Sequence, residues 1–362
     1  MTKEKKILFS TIQVTALTLF VKFLGLIKQS VLAACCGATM ETDAFFLATG
    51  TMVNLSTIIF SAISISLLTI HTNVLFQQGR EASNRLINAV LKFFVPVAVV
   101  LTVIFYFFSP VIAKILAPAY QGNELAILAD YIQTMSVSFI LWCYFLTVNV
   151  VLETDKQFVQ GKGQGLFQNV FLILGAVLLY PKYGMKVLIY AFLLSGVAQC
   201  ILVTWYARDR FRIVVRSRES NGYVKRLVAV AFPLLLGNAM YEVNTIVDGQ
   251  VATSLGAGGA SILNYGATIN DMVVGVIVTS VSTVLFSHFS TWIAKNEIDM
   301  VELNLKRILE ILSLILFPIM IITSQRLMCL HQIPILKKIA LLMMKLINSV
   351  TQRHQPSWSA MT

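Results

Sequence analysis

Residues 8–33 read LFSTIQVTALTLFVKFLGLIKQSVLA, a stretch of 26 residues in which Lys22 and Lys28 are the only charged side chains. An α-helix needs about 20 mostly apolar residues to cross the hydrocarbon core of a bilayer, so this stretch is long enough to span a membrane. A cleaved signal peptide has a shorter apolar core and a small-residue cleavage site, which this stretch lacks. We therefore expect the chain to start with a membrane-spanning helix.

The composition of the whole chain also indicates a membrane protein. Of its 362 residues 57% are hydrophobic and 12% are charged, and the mean hydropathy is +0.78. A soluble domain carries about twice that share of charged residues, so disordered, nucleic-acid-binding and ordinary cytosolic proteins are excluded. The net charge of +11 does not change this, because its largest cluster, in residues 208–226, joins two apolar stretches. Basic loops of that kind are typical of the cytoplasmic side of membrane proteins.

Apolar stretches long enough to span a bilayer recur along the chain, some with polar interruptions. There are nine, over residues 8–33, 44–76, 88–113, 127–150, 164–181, 187–206, 228–254, 260–292 and 308–324. We therefore predict an all-α polytopic membrane protein with about nine transmembrane helices.

The distribution of lysine and arginine predicts the orientation of these spans. With the amino terminus in the cytoplasm and the sides alternating, 18 basic residues lie on the inner side and 3 on the outer side. The three outer residues are Lys114, Lys182 and Lys186. The asymmetry predicts a multi-pass protein of the bacterial inner membrane with a cytoplasmic amino terminus.

A weak internal repeat suggests how the spans are grouped. A shift of 219 residues places Ala33, Gly37, Ala38 and Ala48 on identical residues, and Phe46 on Tyr265. Both segments end one span and begin the next after a short Gly-Ala turn, although apolar helices also match by chance. We predict a complete six-helix lobe over residues 1–219 and a partial second lobe, with spans 7–9, over residues 220–324.

The end of the chain departs from this pattern. A second lobe of equal length would continue to about residue 438, so the sequence favours a carboxyl end that is truncated, frame-shifted or reduced from a longer transporter. Residues 325–362 form an aberrant basic tail, in which residues 333–350 suit an interfacial helix and residues 352–362 a disordered end.

Two motifs resemble a known family of membrane transporters. The first is FLGLIKQSVLAA from Phe23, followed by GATMETDAFFLA from Gly37. The second is VDGQVATSLGAG from Val247, followed by SILNYGA from Ser261. They resemble the MurJ/MviN family of the multidrug/oligosaccharidyl-lipid/polysaccharide exporter superfamily, and the resemblance covers roughly residues 8–320. It implies two lobes around a central cavity, and translocation of a lipid-linked cell-wall precursor by alternating access.

The sequence departs from this family where the family carries arginine. Lys22 and Lys28 stand where two arginines are expected in the first helix. Other expected arginines are replaced by Thr57, Ile58, Gly249 and Thr268, and Val273 replaces a proline. The resemblance therefore implies a less cationic cavity, so a capsule or O-antigen unit is an alternative to lipid II, the peptidoglycan precursor.

The two lysines of the first span are candidate substrate-binding residues. A charged side chain at the centre of a span costs roughly 2.5–3.5 kcal/mol on insertion scales, so each requires a reason. Lys22 and Lys28 lie about 9 Å apart along a helix and about 120° apart around it, so both could border one cavity. There they would attract the diphosphate of a polyprenyl-linked sugar. Alternatively, Lys28 extends to the interface, or either lysine pairs with a carboxylate.

Acidic and amide side chains supply further candidates. Glu242, Asn270 and Asp271 could line the cavity and bind substrate, or they could form structural hydrogen bonds between helices. Asp43 and Asp248 lie near the outer ends of their spans, where a carboxylate could close an outer gate or simply be hydrated. Asn54 and Asn264 are expected to join helices rather than to bind a ligand.

The sequence does not predict an enzyme. It contains no nucleophile elbow, phosphate-binding glycine loop or zinc-protease motif, and its five cysteines lack metal-ligand spacing. We expect no cofactor, no metal site and no nucleic-acid partner, with membrane lipids and a lipid-linked glycan as partners and an unidentified coupling cation left open. Two alternatives remain, a multidrug or cation exporter of the same superfamily and an inactive remnant or scaffold.

Overall fold

The structure is a computed structural model that describes residues 3–155, 157, 163–211, 221–268 and 313. Apart from residue 313, these belong to one compact unit, Met1–Val276. The described residues form helices joined by short turns and contain no β-strand.

The helices follow one another with few intervening residues. They are α1 Lys3–Cys36, α2 Met40–Ser56, α3 Ala62–Phe107, α4 Ser109–Leu116, α5 Asn123–Met135, α6 Ser138–Thr154, α7 Gln164–Leu174, α8 Tyr180–Tyr183, α9 Lys186–Ala207, α10 Asn221–Thr253 and α11 over residues 259–268. Short π-helical segments join α2 to α3 at Thr57–Ser61 and α7 to α8 at Gly175–Leu179. Six helical rods within the described residues are long and apolar enough to cross a membrane.

One of these rods contains two of the predicted spans. Met40–Phe107 has 68 residues, which at 1.5 Å per residue is about three times the thickness of a bilayer core. Gly79 breaks its helical geometry, with φ 83° and ψ −178°. The imidazole Nε2 of His71 lies 2.6 Å from the Ser83 hydroxyl. A continuous helix would separate these residues by about 18 Å, so the chain turns back at Gly79.

The two arms of this rod correspond to the predicted spans 44–76 and 88–113. The second arm ends at Phe107, earlier than predicted, because Pro110 lies in the first turn of the separate helix α4. The predicted spans 8–33, 127–150, 164–181, 187–206 and 228–254 correspond to α1, α5–α6, α7–α8, α9 and α10, respectively. Most of the eighth span, all of the ninth except residue 313, and the tail 325–362 lie outside the described residues. The count of nine, the boundaries of the lobes and the orientation stay predictions.

Polar contacts between neighbouring helices supplement their apolar packing. The Ser64 hydroxyl donates to the Leu146 carbonyl at 3.1 Å, and the Tyr144 and Thr204 hydroxyl groups lie 2.7 Å apart. Large apolar side chains lie on the outside, where Phe76 and Met240 are both 81% exposed. Such a surface would favour aggregation in water, whereas lipid chains cover it at no cost. The fold is that of a multi-pass membrane protein.

An ion cluster joins three chain segments at the end of the bundle near Gly79. The carboxylate of Asp155, which follows α6, lies 2.6 Å from Arg210 Nε and 3.6 Å from Arg80 Nη2. Arg80 begins the second arm of the Gly79 turn, and Arg210 follows α9. Arg80 is 52% exposed and contributes little, since water screens its charge, so Arg210 makes the stronger pair.

Asp155→Ala is expected to lower the unfolding temperature of the detergent-solubilised protein by a few degrees. Arg210 loses its carboxylate partner, which should lower the free energy of unfolding by about 1–2 kcal/mol. Asp209→Ala is the matched control, since Asp209 is 82% exposed and meets Arg208 only at 3.9 Å. The control should change the temperature little. An equal shift in both variants would contradict a stabilising role for the Asp155 cluster.

Candidate functional site

The described helices come together around a buried carboxylate in the first turn of α2. Asp43 is 0% exposed, and its oxygens accept hydrogen bonds from the backbone N–H of Gly258 at 2.6 Å and of Ser261 at 2.6 Å. The Ser261 hydroxyl donates to it at 2.5 Å and the Tyr120 hydroxyl at 3.4 Å. We call these four residues the Asp43 latch. They join α2 to the start of α11, more than 200 residues further along the chain.

The start of α11 suits an anion. The first N–H groups of a helix have no partner within it, and the helix dipole adds partial positive charge at that end. Burial and the neighbouring Asp43 carboxylate raise the pKa of the Tyr120 phenol, so that Tyr120 stays protonated and donates. The carboxylate of Asp43 is therefore surrounded by donors, which offsets the free-energy cost of burying its charge.

Position 258 of the latch requires glycine. Gly258 has φ +91°, which side chains other than glycine rarely adopt, and a Cβ there would lie 2.7 Å from the Ala38 carbonyl oxygen. The missing side chain lets the turn before α11 approach the turn between α1 and α2. Gly256 provides a comparison, since it has φ +99° but nothing within 4 Å of the place where its Cβ would lie.

Gly258→Ala is expected to open the latch, whereas Gly256→Ala should not, because both introduce backbone strain and only the first collides with Ala38. The opening can be measured as the maleimide labelling rate of Ala260→Cys, a position that is 5% exposed, with the native cysteines replaced by serine. We expect labelling at least about tenfold faster in Gly258→Ala, the effect of about 1.4 kcal/mol. Equal rates in the two variants would contradict the close contact.

Four further contacts link α1, α2 and the turn between them to α11. The Tyr265 hydroxyl donates to the Gly37 carbonyl at 3.1 Å, and the rings of Tyr265 and Phe46 meet edge-to-face at 5.3 Å. Nearer the middle of α1, Gln29 Nε2 donates to Asn264 Oδ1 at 2.6 Å and to Thr268 Oγ1 at 2.9 Å. One face of α11 is thus hydrogen-bonded to Gln29 of α1 over about one turn, and to the turn that follows α1 through Tyr265.

Two adjoining cavities lie beside these contacts. The first, which we call the Lys28 cavity, has about 170 Å³ and is bordered by α1, α2, α7, α9 and α11. Lys28, Gln29, Gln168, Asn54 and Asn264 are polar members of its lining. The second, the Asp248 cavity, has about 280 Å³ and lies between α2, α10 and α11. The two cavities share Phe46, Gly50, Asn54 and Asn264 in their walls.

The two candidate lysines of α1 differ in position relative to these two cavities. Lys28 lines the Lys28 cavity, and it is the one basic side chain among the described residues of that lining. Lys22 is half-buried on the same helix and lines neither of these two cavities.

The acidic candidates also differ in position. Asp248 is exposed and lines the Asp248 cavity, whereas Asp43 is buried in the latch. Glu242 is half-buried, and its Oε2 accepts from the Asn54 amide at 3.2 Å when that amide is oriented with its nitrogen toward the carboxylate. Asn270 and Asp271 lie outside the described residues. Whether these residues bind substrate or gate the cavity stays a prediction.

Several residues of the site escaped the sequence analysis. Gln29 and Tyr120 were not singled out, although Gln29 is adjacent to Lys28, and this position could have suggested a role. Asn54 and Asn264 were expected mainly to join helices, and both also line the cavities. Among the described residues, no three His, Cys, Asp or Glu side chains come close enough to hold a metal ion.

Comparison with known proteins identifies the family. The family described as Lipid II flippase MurJ matches residues 32–330 of this chain. The chain belongs to the MurJ family. A relative named "Probable lipid II flippase MurJ", from Buchnera aphidicola, is 24% identical over 83% of the chain and 59% of its own length. Another of the same name, from Treponema pallidum, is 26% identical over 88% of the chain and 62% of its own length.

Solved structures agree with this assignment at the level of the fold. A structure described as "Lipid II flippase MurJ, inward closed conformation" has a TM-score of 0.67 and 20% sequence identity. The match covers 77% of this chain and 59% of that one. The chain thus spans about three fifths of the length of the MurJ relatives that it matches.

Proposed function

We propose that this chain is a flippase that moves a polyprenyl-diphosphate-linked glycan, lipid II or a related envelope precursor, from the cytoplasmic to the outer leaflet of the bacterial inner membrane. The membership of the MurJ family is the observation that carries this proposal. The two adjoining cavities supply the place for the polar headgroup, while the prenyl chain stays among the membrane lipids. The amino terminus lies in the cytoplasm, as the basic residues predict.

The Lys28 cavity suits the headgroup of such a substrate. The Lys28 ammonium supplies a charge-assisted hydrogen bond for a diphosphate. Amide side chains surround it, and amides both donate and accept, as recognition of hydroxyl and acetamido groups requires. Lys22, Glu242, Asn270 and Asp271 are the further candidates for contact with the substrate as it moves.

The Asp43 latch supplies the outer gate of an alternating-access cycle. It lies beside the α1–α2 turn, which faces outward when the amino terminus is cytoplasmic. Closing it buries the carboxylate among donors, and opening it replaces those donors by water, so the two states can be close in free energy. Asp248, exposed in the wall of its cavity, is the second gate candidate.

A vesicle assay tests this function. The purified chain is reconstituted with lipid II that carries a fluorescent nitrobenzoxadiazole group, and dithionite added outside destroys the fluorescence of the exposed probe. Active protein should move labelled lipid II from the inner to the outer leaflet, where dithionite also destroys its fluorescence. The Lys28→Met variant should leave the inner-leaflet fraction fluorescent. If the vesicles instead transport an organic cation such as ethidium and leave lipid II in place, the protein is an exporter of the cation class. If they transport neither, the chain alone is not a transporter.

A further inference from the structure

Gln29, the residue after Lys28, is a buried amide in the wall of the Lys28 cavity. It is 6% exposed, and its nitrogen is fully engaged with α11. Nε2 donates one hydrogen to Asn264 Oδ1 and the other to Thr268 Oγ1. The Thr268 hydroxyl gives its own hydrogen to the Asn264 carbonyl at 2.9 Å, so its oxygen has to accept from Gln29. Both hydrogens of the Gln29 amide are therefore used.

The carbonyl oxygen of the same amide lacks a hydrogen-bond donor among the described residues. Gln29 Oε1 is buried and accepts no hydrogen bond from the described residues. A buried acceptor without a donor is unfavourable, and most buried polar atoms in proteins do have a partner. The oxygen is covered in this state, and a ligand in the cavity that Gln29 lines could supply the missing N–H or O–H donor once the covering atoms move aside.

The charge beside Gln29 narrows the class of that ligand. Lys28 lines the same cavity and attracts an anion. A suitable ligand therefore carries a phosphate and, directly next to it, a hydroxyl or acetamido N–H group. A sugar bonded to a phosphate has this arrangement, whereas a bare prenyl diphosphate does not.

We propose that Gln29 recognises the first sugar of the lipid-linked substrate, by accepting a hydrogen bond through Oε1 while Lys28 holds the adjoining diphosphate. This inference rests on the proposed function and adds to it the residue that distinguishes a glycosylated lipid from the bare carrier. The bare carrier is what remains on the outer side once the glycan has been transferred, so a flippase benefits from excluding it.

The Gln29 amide also couples binding of the sugar to the hydrogen bonds that hold α1 against α11. A donor that binds Oε1 polarises the amide and strengthens the hydrogen bonds that its N–H groups make, as in other hydrogen-bonded chains. Those N–H groups join α1 to Asn264 and Thr268 of α11, which follow the latch residues Gly258 and Ser261 in the chain. A bound sugar thus favours the state in which α1 and α11 are held together, and a bare diphosphate does so less.

A binding experiment with two short-chain probes tests the assignment. The full chain in lipid nanodiscs is titrated with farnesyl diphosphate and with farnesyl-diphospho-N-acetylglucosamine. We expect the sugar-bearing probe to bind about tenfold more tightly, the effect of one buried hydrogen bond. Gln29→Met, which keeps the length of the side chain but has neither the acceptor oxygen nor the N–H donors, should bind the two probes with equal affinity.

Gln29→Glu tests the role of the acceptor oxygen separately from that of the N–H donors. It keeps an acceptor and loses both N–H donors, so it should retain the preference for the sugar although its charge weakens the binding of both probes. If Gln29→Met binds neither probe, the result of Gln29→Glu tests the proposal instead. Equal affinity of Gln29→Glu for the sugar-bearing probe and for farnesyl diphosphate overturns the proposal. Equal binding of the two probes by the unaltered chain overturns the role of Gln29 alone, whereas failure to bind either one overturns the proposed function.

Discussion

Asp43→Asn is expected to shift the protein out of the state in which α2 and α11 are joined. An asparagine removes the charge and replaces one carboxylate oxygen by an NH₂ group, which then faces an N–H of Gly258 or Ser261. Two donors oppose each other at a site that is 0% exposed. Hydrogen bonds to a charged group contribute roughly 1.5–3 kcal/mol each, so we expect the joined state to become about a hundredfold less populated.

Distances between spin labels measure this shift. The labels are placed at Glu41→Cys in α2 and Ser254→Cys shortly before α11, both exposed positions, in a chain without its native cysteines. Double electron–electron resonance should show one short distance in the parent and a longer, broader distribution in Asp43→Asn. Asp209→Asn is the matched control, because it makes the same chemical change at an exposed carboxylate that belongs neither to the latch nor to the cavities. An unchanged distribution in Asp43→Asn would show that the latch does not hold this end closed.

Lys28→Met is expected to weaken the binding of prenyl diphosphates by about a hundredfold. Methionine keeps most of the apolar stem, so the variant loses the charge with little change in packing. A charge-assisted hydrogen bond to phosphate in a cavity between helices contributes roughly 3 kcal/mol. Lys28→Arg should retain most of the affinity, since it preserves the positive charge and the donors.

Titration with farnesyl diphosphate in nanodiscs provides the measurement, and Lys92→Met serves as a control at an exposed lysine of α3. Lys22→Met is compared in the same series. Because Lys22 lines neither of the two cavities, we expect its effect to be smaller than that of Lys28→Met. A larger effect at Lys22 would mean that the diphosphate binds elsewhere on α1.

The sequence alone was sufficient to locate the membrane spans that consist of one uninterrupted apolar stretch. Length and hydropathy located α1 and α9 to within a few residues, apart from the polar start of α1, because a bilayer imposes a minimum apolar length on every crossing helix. The end of the third span was predicted too late. Hydropathy continues through Phe108 and Pro110, whereas the backbone begins a new helix there. The turn at Gly79 lies in the gap that the profile left between residues 76 and 88, but hydropathy does not show the backbone conformation that makes it.

The candidate site was less predictable because it depends on residues far apart in the chain. Asp43 was singled out as a carboxylate near the end of a span, but its partners Gly258 and Ser261 could not be derived without the fold. The spacing of Lys22 and Lys28 allowed both to reach one cavity, and only the packing of α1 against its neighbours shows which of them lines it. Gln29 was missed because an amide in an apolar helix is usually a structural contact.

The most direct test of the proposed function is complementation in bacteria depleted of their own lipid II flippase. The chain and its Lys28→Met variant are expressed at equal membrane abundance, and growth is followed after depletion. We expect the chain to restore growth and Lys28→Met to fail. Equal rescue by both would contradict the role of Lys28, and failure of a well-expressed parent chain would contradict lipid II as its substrate.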